Sequence, residues 1–432
     1  MSKRVVSPGG HVSGMAELPG DKSISHRYAI LSALARGTSE IAHYASSADC
    51  QSTLHCLRGL GIEISVTKEA VKISGRGLHG LQEPRRTLDA ENSGTTIRML
   101  SGVLAGQAFI STITGDSSLR RRPMRRVIDP LAKMGAEIRS ENGGMAPLVI
   151  RGGQLRAIDY SPPTPSAQVK SAILLAGLYA DGPSSVMEAV RTRDHTELAL
   201  REFGARVDTA KTTVRIYPEP KLEPRQLNVP GDLSSAVFLT AAAMILPEST
   251  LVLHNVGLNP TRARVLDFLV SIGASIHPTA VQMRNGELVG DLSVRHARLS
   301  GGAIAGAQVA EMIDELPMLA ALGPFTEQGI EIHDAQELRV KESDRIATLA
   351  EGLRRMGATV EEFSDGLCVA GRSAGKLKGA TIEPHGDHRI AMALAVAALG
   401  ADGDTTIRDA GCVGVSFPEF FEALDRLRGA KD

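Results

Sequence analysis

Hydrophobic and polar positions along this 432-residue chain fall into two patterns that alternate. In the first, a small polar or acidic cluster opens an Ala/Leu/Met-rich run that leaves through a turn-forming exit, usually with glycine. Six segments share it: "GDKSISHRYAILSALARG" from Gly20, "NSGTTIRMLSGVLAG" from Asn92, "SAQVKSAILLAGLYADG" from Ser166, "GDLSSAVFLTAAAMILPEST" from Gly231, "MIDELPMLAALGPFTEQG" from Met312 and "GDHRIAMALAVAALGADG" from Gly386. Successive starts lie 72, 74, 65, 81 and 74 residues apart, the mark of an internal repeat. The second pattern is an amphipathic run that closes on glycine and a β-prone pair, as in "LHCLRGLGIEI" and "LALREFGARV". Its closing glycines are at 61, 135, 204, 273 and 357.

Apolar residues three and four apart predict helices, glycine supplies their left-handed stop, and the alternation that follows predicts a strand. Each repeat is therefore expected to hold strands and two helices, and six repeats make an α/β protein. The first helix of each repeat is almost wholly apolar, which predicts burial, whereas the second has a charged face. Three repeats around a common centre, twice over, give two similar lobes with a cleft between them. The polar clusters sit where the buried helices begin. Helix N-termini carry unpaired N–H groups and suit anions, but Ser, Asp, Asn and Gly there are equally explained as caps.

Composition narrows the chemistry. Forty-eight basic and 49 acidic side chains give a net charge of -1, so no general attraction to nucleic acid or an anionic membrane is expected. Tryptophan is missing and aromatics are 3%, which disfavours a base-stacking surface. Cys50, Cys56, Cys368 and Cys412 lie too far apart for a Cys-x-x-Cys site and are expected as reduced thiols. The N-terminal "MSKRVVSPGGHVSG" has no apolar core, and the longest apolar run, Ala236–Leu246, is far shorter than a membrane span. A cytoplasmic location is expected.

Two familiar nucleotide motifs fail. A phosphate loop ending at Lys22-Ser23 would need glycine at 16 and 21, where Ala16 and Asp21 stand. Gly75, Gly77 and Gly80 fit G-x-G-x-x-G, but Pro84 follows without apolar periodicity, so a hairpin is expected there. What remains is a set of cations and acids near the helix starts. Ser23 and Arg27 are one turn apart behind Lys22, and Lys341 and Arg345 are read as sharing a face in the same way. Gly94 lets a ligand approach the backbone. Of Arg120, Arg121, Arg122, Arg125 and Arg126, four are read as a solvated face and one as projecting into the cleft. Asp314 and Glu315 precede a Pro-started helix, one read as a cap and the other as a base. His385 and His388 have metal-like spacing, but no third ligand is evident. Lys22, Arg27, Arg122, Arg193, Lys341, Arg345 and Arg389 in a chain of near-zero charge fit a substrate with several phosphate and carboxylate groups.

The motifs "GDKSISHR", "NSGTT", "RRRPM", "SAQVKSA", "TRDHTE", "GDLSSA", "MIDELP", "RVKESDR", "DHRIAMA" and "SFPEF", in order from residue 20 to 420, resemble those of the 3-phosphoshikimate 1-carboxyvinyltransferase family. The wording of "SAQVKSAILLAGL" and "RVKESDR" is similar to the bacterial class noted for glyphosate-tolerant members. The resemblance implies an inside-out α/β barrel in two lobes, each of three βαβαββ units. Residues 1–20 and 231–432 would form one lobe and 21–230 the other, with crossovers near 14–21 and 227–234. It implies transfer of the enolpyruvyl group of phosphoenolpyruvate to the 5-hydroxyl of shikimate 3-phosphate, by a monomer, without metal or organic cofactor.

Carried over by residue, the resemblance makes Lys22, Ser23, Arg27, Ser166, Ala167, Gln168, Arg193, Asp314 and Lys341 contacts to shikimate 3-phosphate. Lys22, Gly94, Arg122, Gln168, Arg345 and Arg389 would contact phosphoenolpyruvate. Asp314 would take the hydroxyl proton, Glu342 would be a proton donor, and Lys22, expected among cations with a lowered pKa, would assist. Two departures stand out. Many members have a lysine before the last "FP", where this chain has Val415 and Ser416, and tolerant relatives often have alanine where it has Gly94. Gly94 therefore implies a roomier, glyphosate-sensitive site. The sister enzyme acting on UDP-N-acetylglucosamine, which usually has a reactive cysteine in the loop matching "GDSSLRRRPM", is the alternative; this loop has none.

Overall fold

Each repeat resolves into one small sheet. The computed structural model describes residues 2–429, and their strands form six separate sheets, five of four strands and one of three. Contacts divide the chain into two units. One holds residues Gly20–Val229 with Met283–Glu287; the other holds the residues up to Pro19, Pro230–Gln282 and those from Leu288 on.

The first unit contains α1 (Lys22–Leu34), α2 (Ala48–Gly59), α3 (Gly94–Ala105), α4 (Arg125–Lys133), α5 (Ala167–Gly177) and α6 (His195–Glu202). In its second repeat, Leu88–Asp89 runs parallel to Ile110–Thr114 across α3. After α4 the hairpin Glu137–Glu141/Met145–Arg151 adds its second strand antiparallel to Ile110–Thr114. The third repeat does the same with Asp159–Tyr160, Ser184–Met187, Val207–Ala210 and Thr213–Ile216. In the first, Arg36–Ala42 pairs with Ala70–Arg76, but its parallel neighbour is Gln226–Asn228, from the far end of the unit. The "SGRGLHG" glycines are not a hairpin turn: Gly75 lies in the strand Ala70–Arg76 and the chain then leaves through a turn.

Helices α1, α3 and α5 are the apolar ones, and their side chains make up most of this unit's core with the inner faces of the sheets. Alpha3 and α5 approach so closely at Gly102 that a Cβ there would lie 2.2 Å from the Ala172 carbonyl oxygen. An apolar helix face without side-chain bulk is what permits that contact.

The second unit contains α7 (Leu233–Ile245), α8 (Arg264–Ser271), α9 (Ala307–Met312), α10 (Leu316–Ala321), α11 (Arg345–Arg355), α12 (His388–Leu399) and α13 (Phe420–Leu427). Here α7, α10 and α12 are buried and share one apolar core. Its first sheet borrows Ser13–Glu17, which runs parallel to Thr250–Gly257, and its three-stranded sheet borrows Lys3–Val6, antiparallel to Thr405–Arg408. The predicted glycine stops at 61, 135, 204, 273 and 357 all have positive φ, as does Gly429 after α13, the sixth member of that series.

Candidate active site

Asp21 caps α1, its carboxylate accepting the Ile24 N–H at 2.9 Å, and so sets Lys22 and Ser23 in the first turn with Arg27 one turn on. Lys22 Nζ lies 2.7 Å from Asp49 Oδ2, at the start of α2. The expectation of purely cationic surroundings for Lys22 omitted this carboxylate, because Asp49 sits in a separate repeat element with no local signature. Arg27 is 3% exposed. It donates from Nε to Thr196 Oγ1 at 2.6 Å, from Nη1 to the Ser23 carbonyl at 2.7 Å and from Nη2 to Ser171 Oγ at 2.8 Å. Burial lowers its pKa to about 10, opposed mainly by the Glu197 charge.

Ser93 caps α3 by accepting the Thr96 N–H at 3.1 Å, which makes Gly94 the first helical residue. Two guanidiniums lie over it: a Cβ on Gly94 would be 2.8 Å from Arg98 Nη1 and 3.5 Å from Arg122 Nη1. Arg98 Nη1 donates to Gln168 Oε1 at 2.5 Å, and Gln168 Nε2 donates to Thr95 Oγ1 at 2.9 Å. Arg98 escaped the sequence reading, yet its signal was present, an arginine inside an otherwise apolar buried helix. Arg122 is the buried member of its arginine run, held by Asn92 Oδ1 at 2.7 Å and Ser118 Oγ at 3.3 Å. Arg120, Arg121 and Arg125 are exposed and Arg126 is partly so.

Ser166 caps α5 by accepting the Val169 N–H, leaving Ala167 and Gln168 in the first turn. Arg193 is half-buried in the segment before α6. Beneath these, Lys170 Nζ lies 2.8 Å from both Glu188 Oε2 and Glu197 Oε1, all three side chains almost fully buried. Burial raises the Glu197 pKa in spite of Lys170. These residues of the first unit thus bring Lys22, Arg27, Arg98, Arg122 and Arg193 to the starts of four helices.

In the second unit, Arg345 begins α11 and is 1% exposed. It donates from Nε to Asp387 Oδ2 at 2.8 Å and from Nη2 to Glu342 Oε2 at 2.6 Å, with Asp314 Oδ1 3.8 Å from Nη1. Burial works to lower its pKa, but Asp387, Glu342 and Asp314 outweigh it and hold the group firmly charged. Arg389, in the first turn of α12, donates from Nη1 to the Asp314 carbonyl at 2.7 Å, and its Nη2 is 3.9 Å from Asp314 Oδ2. Asp387 caps α12 with its other oxygen, accepting the Arg389 N–H at 3.0 Å.

Two local readings change here. Lys341 and Arg345 do not share a helix face: Lys341 ends the 3-10 turn Gln336–Val340 and pairs with Glu337 at 3.3 Å, while Asp344 caps α11. Glu315 of "DELP" occupies the N-cap position of α10, but its side chain makes no cap hydrogen bond. The buried Glu315 carboxylate instead accepts from Ser234 Oγ and lies 3.2 Å from Arg262 Nη1. Pairing with a guanidinium compensates the burial of the carboxylate. Among the described residues, no group of three or more His, Cys, Asp or Glu side chains is arranged to hold a metal, and no helix is long and apolar enough to cross a membrane. Val415 and Ser416 close a 3-10 turn ahead of the buried Phe417 and Phe420, so that motif packs the core.

The family model described as EPSP synthase (3-phosphoshikimate 1-carboxyvinyltransferase) matches residues 6–424. The chain belongs to the EPSP synthase family. It is 53% identical over 427 residues to the 3-phosphoshikimate 1-carboxyvinyltransferase of Solibacter usitatus, covering 99% of this chain and 100% of the relative. It is 52% identical to that of Koribacter versatilis over 98% of each. Among solved structures, EPSP synthase from Acinetobacter baumannii superposes with a TM-score of 0.87 at 40% identity, covering 98% of both chains. The enolpyruvyl transferase NikO from Streptomyces tendae shares the fold, with a TM-score of 0.79 at 17% identity. EPSP synthase membership makes the chain a carboxyvinyltransferase of the shikimate pathway and decides against the UDP-N-acetylglucosamine alternative.

Proposed function

We propose that the side chains described above divide the family's reaction between two half-sites, with phosphoenolpyruvate and shikimate 3-phosphate as substrates. Lys22, Ser23, Arg27, Ser166, Ala167, Gln168, Arg193, Asp314 and Lys341 bind shikimate 3-phosphate. Lys22, Gly94, Arg122, Gln168, Arg345 and Arg389 bind phosphoenolpyruvate, and Arg98 joins that group through Gln168. Arginine forks held by buried carboxylates are rigid, charged donors suited to carboxylate and phosphate oxygens.

The observation that carries the assignment of roles is Asp314. Its carboxylate oxygens lie 3.8 and 3.9 Å from the guanidiniums of Arg345 and Arg389, while Arg345 also holds Glu342. A base thus stands beside two donors for an anionic substrate, and an acid stands on one of the same donors. In the addition step the methylene carbon of phosphoenolpyruvate gains a proton, C2 becomes cation-like, and the hydroxyl oxygen bonds to C2 while Asp314 takes its proton. Lys22 supplies the first proton from its ammonium, and Glu342, an anion paired with Arg345 here, shares that role once it has taken up a proton on substrate binding. The methyl group so formed then returns a proton to that donor as the C2–O bond to phosphate breaks, which restores the double bond, so phosphate leaves and the enolpyruvyl ether remains. The fixed cations stabilise the polyanions without reorganising.

Phosphate release from phosphoenolpyruvate in the presence of shikimate 3-phosphate tests this reading directly. Turnover is expected with that acceptor and not with UDP-N-acetylglucosamine. Turnover without loss in the Asp314→Ala variant would refute the role given to Asp314. The protein is further proposed to act as a monomer, which sedimentation with and without both substrates checks, and in the cytoplasm, which fractionation of the source cells checks.

A further inference from the structure

Arg27 is held by a hydrogen-bonded set that the reaction itself does not use. A guanidinium has five N–H donors. Its Nε–H goes to Thr196 Oγ1, one Nη1–H to the Ser23 carbonyl and one Nη2–H to Ser171 Oγ. One N–H on each terminal nitrogen remains, the geometry of a two-pronged donor.

The hydroxyls are ordered among themselves. Ser171 Oγ donates to the Ala167 carbonyl at 2.6 Å, so its proton is committed and Thr196 Oγ–H must point to Ser171 Oγ across their 2.6 Å contact. Ser171 Oγ is then saturated, with two bonds accepted and one donated, and Thr196 Oγ1 is left with its acceptor side for Arg27 Nε. Both hydroxyls are buried, and their hydrogen-bonding capacity is spent on Arg27, on the Ala167 carbonyl and on each other. The neighbouring residues tie the same two helices a second time through Lys170 and Glu197 at 2.8 Å. The starts of α1, α5 and α6, each carrying residues assigned to shikimate 3-phosphate, are joined through this one arginine.

We propose that Thr196 and Ser171 are positioning residues that fix the Arg27 guanidinium with its two remaining N–H groups turned to shikimate 3-phosphate. The proposal rests on the reading of Arg27 as a ligand of that substrate. Without Thr196 Oγ1 the Nε–H is buried and unpaired, and the guanidinium rotates to recover a partner, which misaligns the fork. Hydrogen bonds to charged groups are the stronger class, so the loss should appear as at least about a tenfold weaker interaction with this substrate alone.

The test compares Thr196→Val, Thr196→Ser, Ser171→Ala and Arg27→Met in the full chain. Steady-state KM for each substrate, calorimetric binding of shikimate 3-phosphate alone, and thermal midpoints are the readouts. Thr196→Val and Ser171→Ala are expected to raise KM and Kd for shikimate 3-phosphate about tenfold or more, with KM for phosphoenolpyruvate unchanged. Thr196→Ser, which restores the hydroxyl, should recover most of the loss. A lower thermal midpoint with both KM values unmoved would show a merely structural role and overturn the proposal. If Arg27→Met weakens shikimate 3-phosphate but neither hydroxyl deletion does, the positioning role fails while Arg27 remains a ligand. If Arg27→Met also has no effect, the ligand reading itself is wrong.

Discussion

Replacing Gly94 by alanine places one methyl group where two guanidiniums converge. The new Cβ would lie 2.8 Å from Arg98 Nη1, 0.6 Å inside the 3.4 Å at which ordinary contact begins, while Arg122 Nη1 at 3.5 Å is untouched. The crowded atom is the end of a flexible side chain, so Arg98 retreats rather than the backbone of α3. Retreat acts on the 2.5 Å bond from Arg98 to Gln168. Even if the whole 0.6 Å were taken along that bond, it would lengthen only to about 3.1 Å, within hydrogen-bonding range. The cost therefore stays below the ~1.5–3 kcal/mol of losing a bond to a charged group. A loss of about 1 kcal/mol corresponds to roughly a fivefold rise in KM for phosphoenolpyruvate. Inhibition by glyphosate should weaken as well, since the Arg98 guanidinium displaced by the methyl lies in the half-site proposed for phosphoenolpyruvate. The assay is phosphate release at varied phosphoenolpyruvate and glyphosate, for Gly94→Ala, Arg98→Ala and the double variant. In the double variant the crowded partner is gone, and the effect of the methyl on KM should largely disappear. An equal effect of Gly94→Ala with and without Arg98 would refute this chain of reasoning, as would wild-type inhibition that requires more glyphosate than the alanine variant does.

Three further outcomes follow from the same side chains. Asp314→Ala is expected to abolish turnover while shikimate 3-phosphate still binds measurably by calorimetry; a variant that loses binding in proportion would make Asp314 only a ligand. Gly102→Ala drives a methyl to 2.2 Å from the Ala172 carbonyl, so α3 and α5 must part, and urea unfolding should show a loss of about 1–3 kcal/mol, the range for overpacking. The raised pKa of Glu197 gives a pH signature. Between its unfolded value, about 4.3, and its higher folded value the native state holds the extra proton, so stability falls as pH rises through that window. Glu197→Gln should flatten that fall in urea midpoints measured across pH, and an unchanged slope would mean that Glu197 is not the group responsible.

The helices and their burial could be read from the chain because each buried helix is largely apolar, a property carried by consecutive residues. Sheet membership could not. Gln226–Asn228 completes a sheet begun near Arg36, and Ser13–Glu17 one that continues at Thr250. The sixth amphipathic helix, Phe420–Leu427, went unnoticed for the same reason. Its glycine stop at Gly429 is present, but the strand that completes its sheet is Lys3–Val6, at the opposite end of the sequence, so no β-prone pair follows it among the described residues.

Cations of the candidate site were visible where they follow a capping aspartate, as Lys22 and Arg389 do, or stand in a run of arginines around a proline, as Arg122 does. What the sequence could not show is the anionic and hydroxyl groups that aim them: Asp49 on Lys22, Asp387 on Arg345, Thr196 and Ser171 on Arg27. Each partner is at least 27 residues from its cation, 27 for Asp49 and 169 for Thr196. Each also belongs to a residue type that is common at helix starts for capping alone. Local pattern therefore reports which charges a site contains. Their direction is set by pairs distant in sequence that packing brings together, and substitution of the uncharged partners, Thr196 and Ser171, should change affinity for shikimate 3-phosphate while leaving the charge inventory intact.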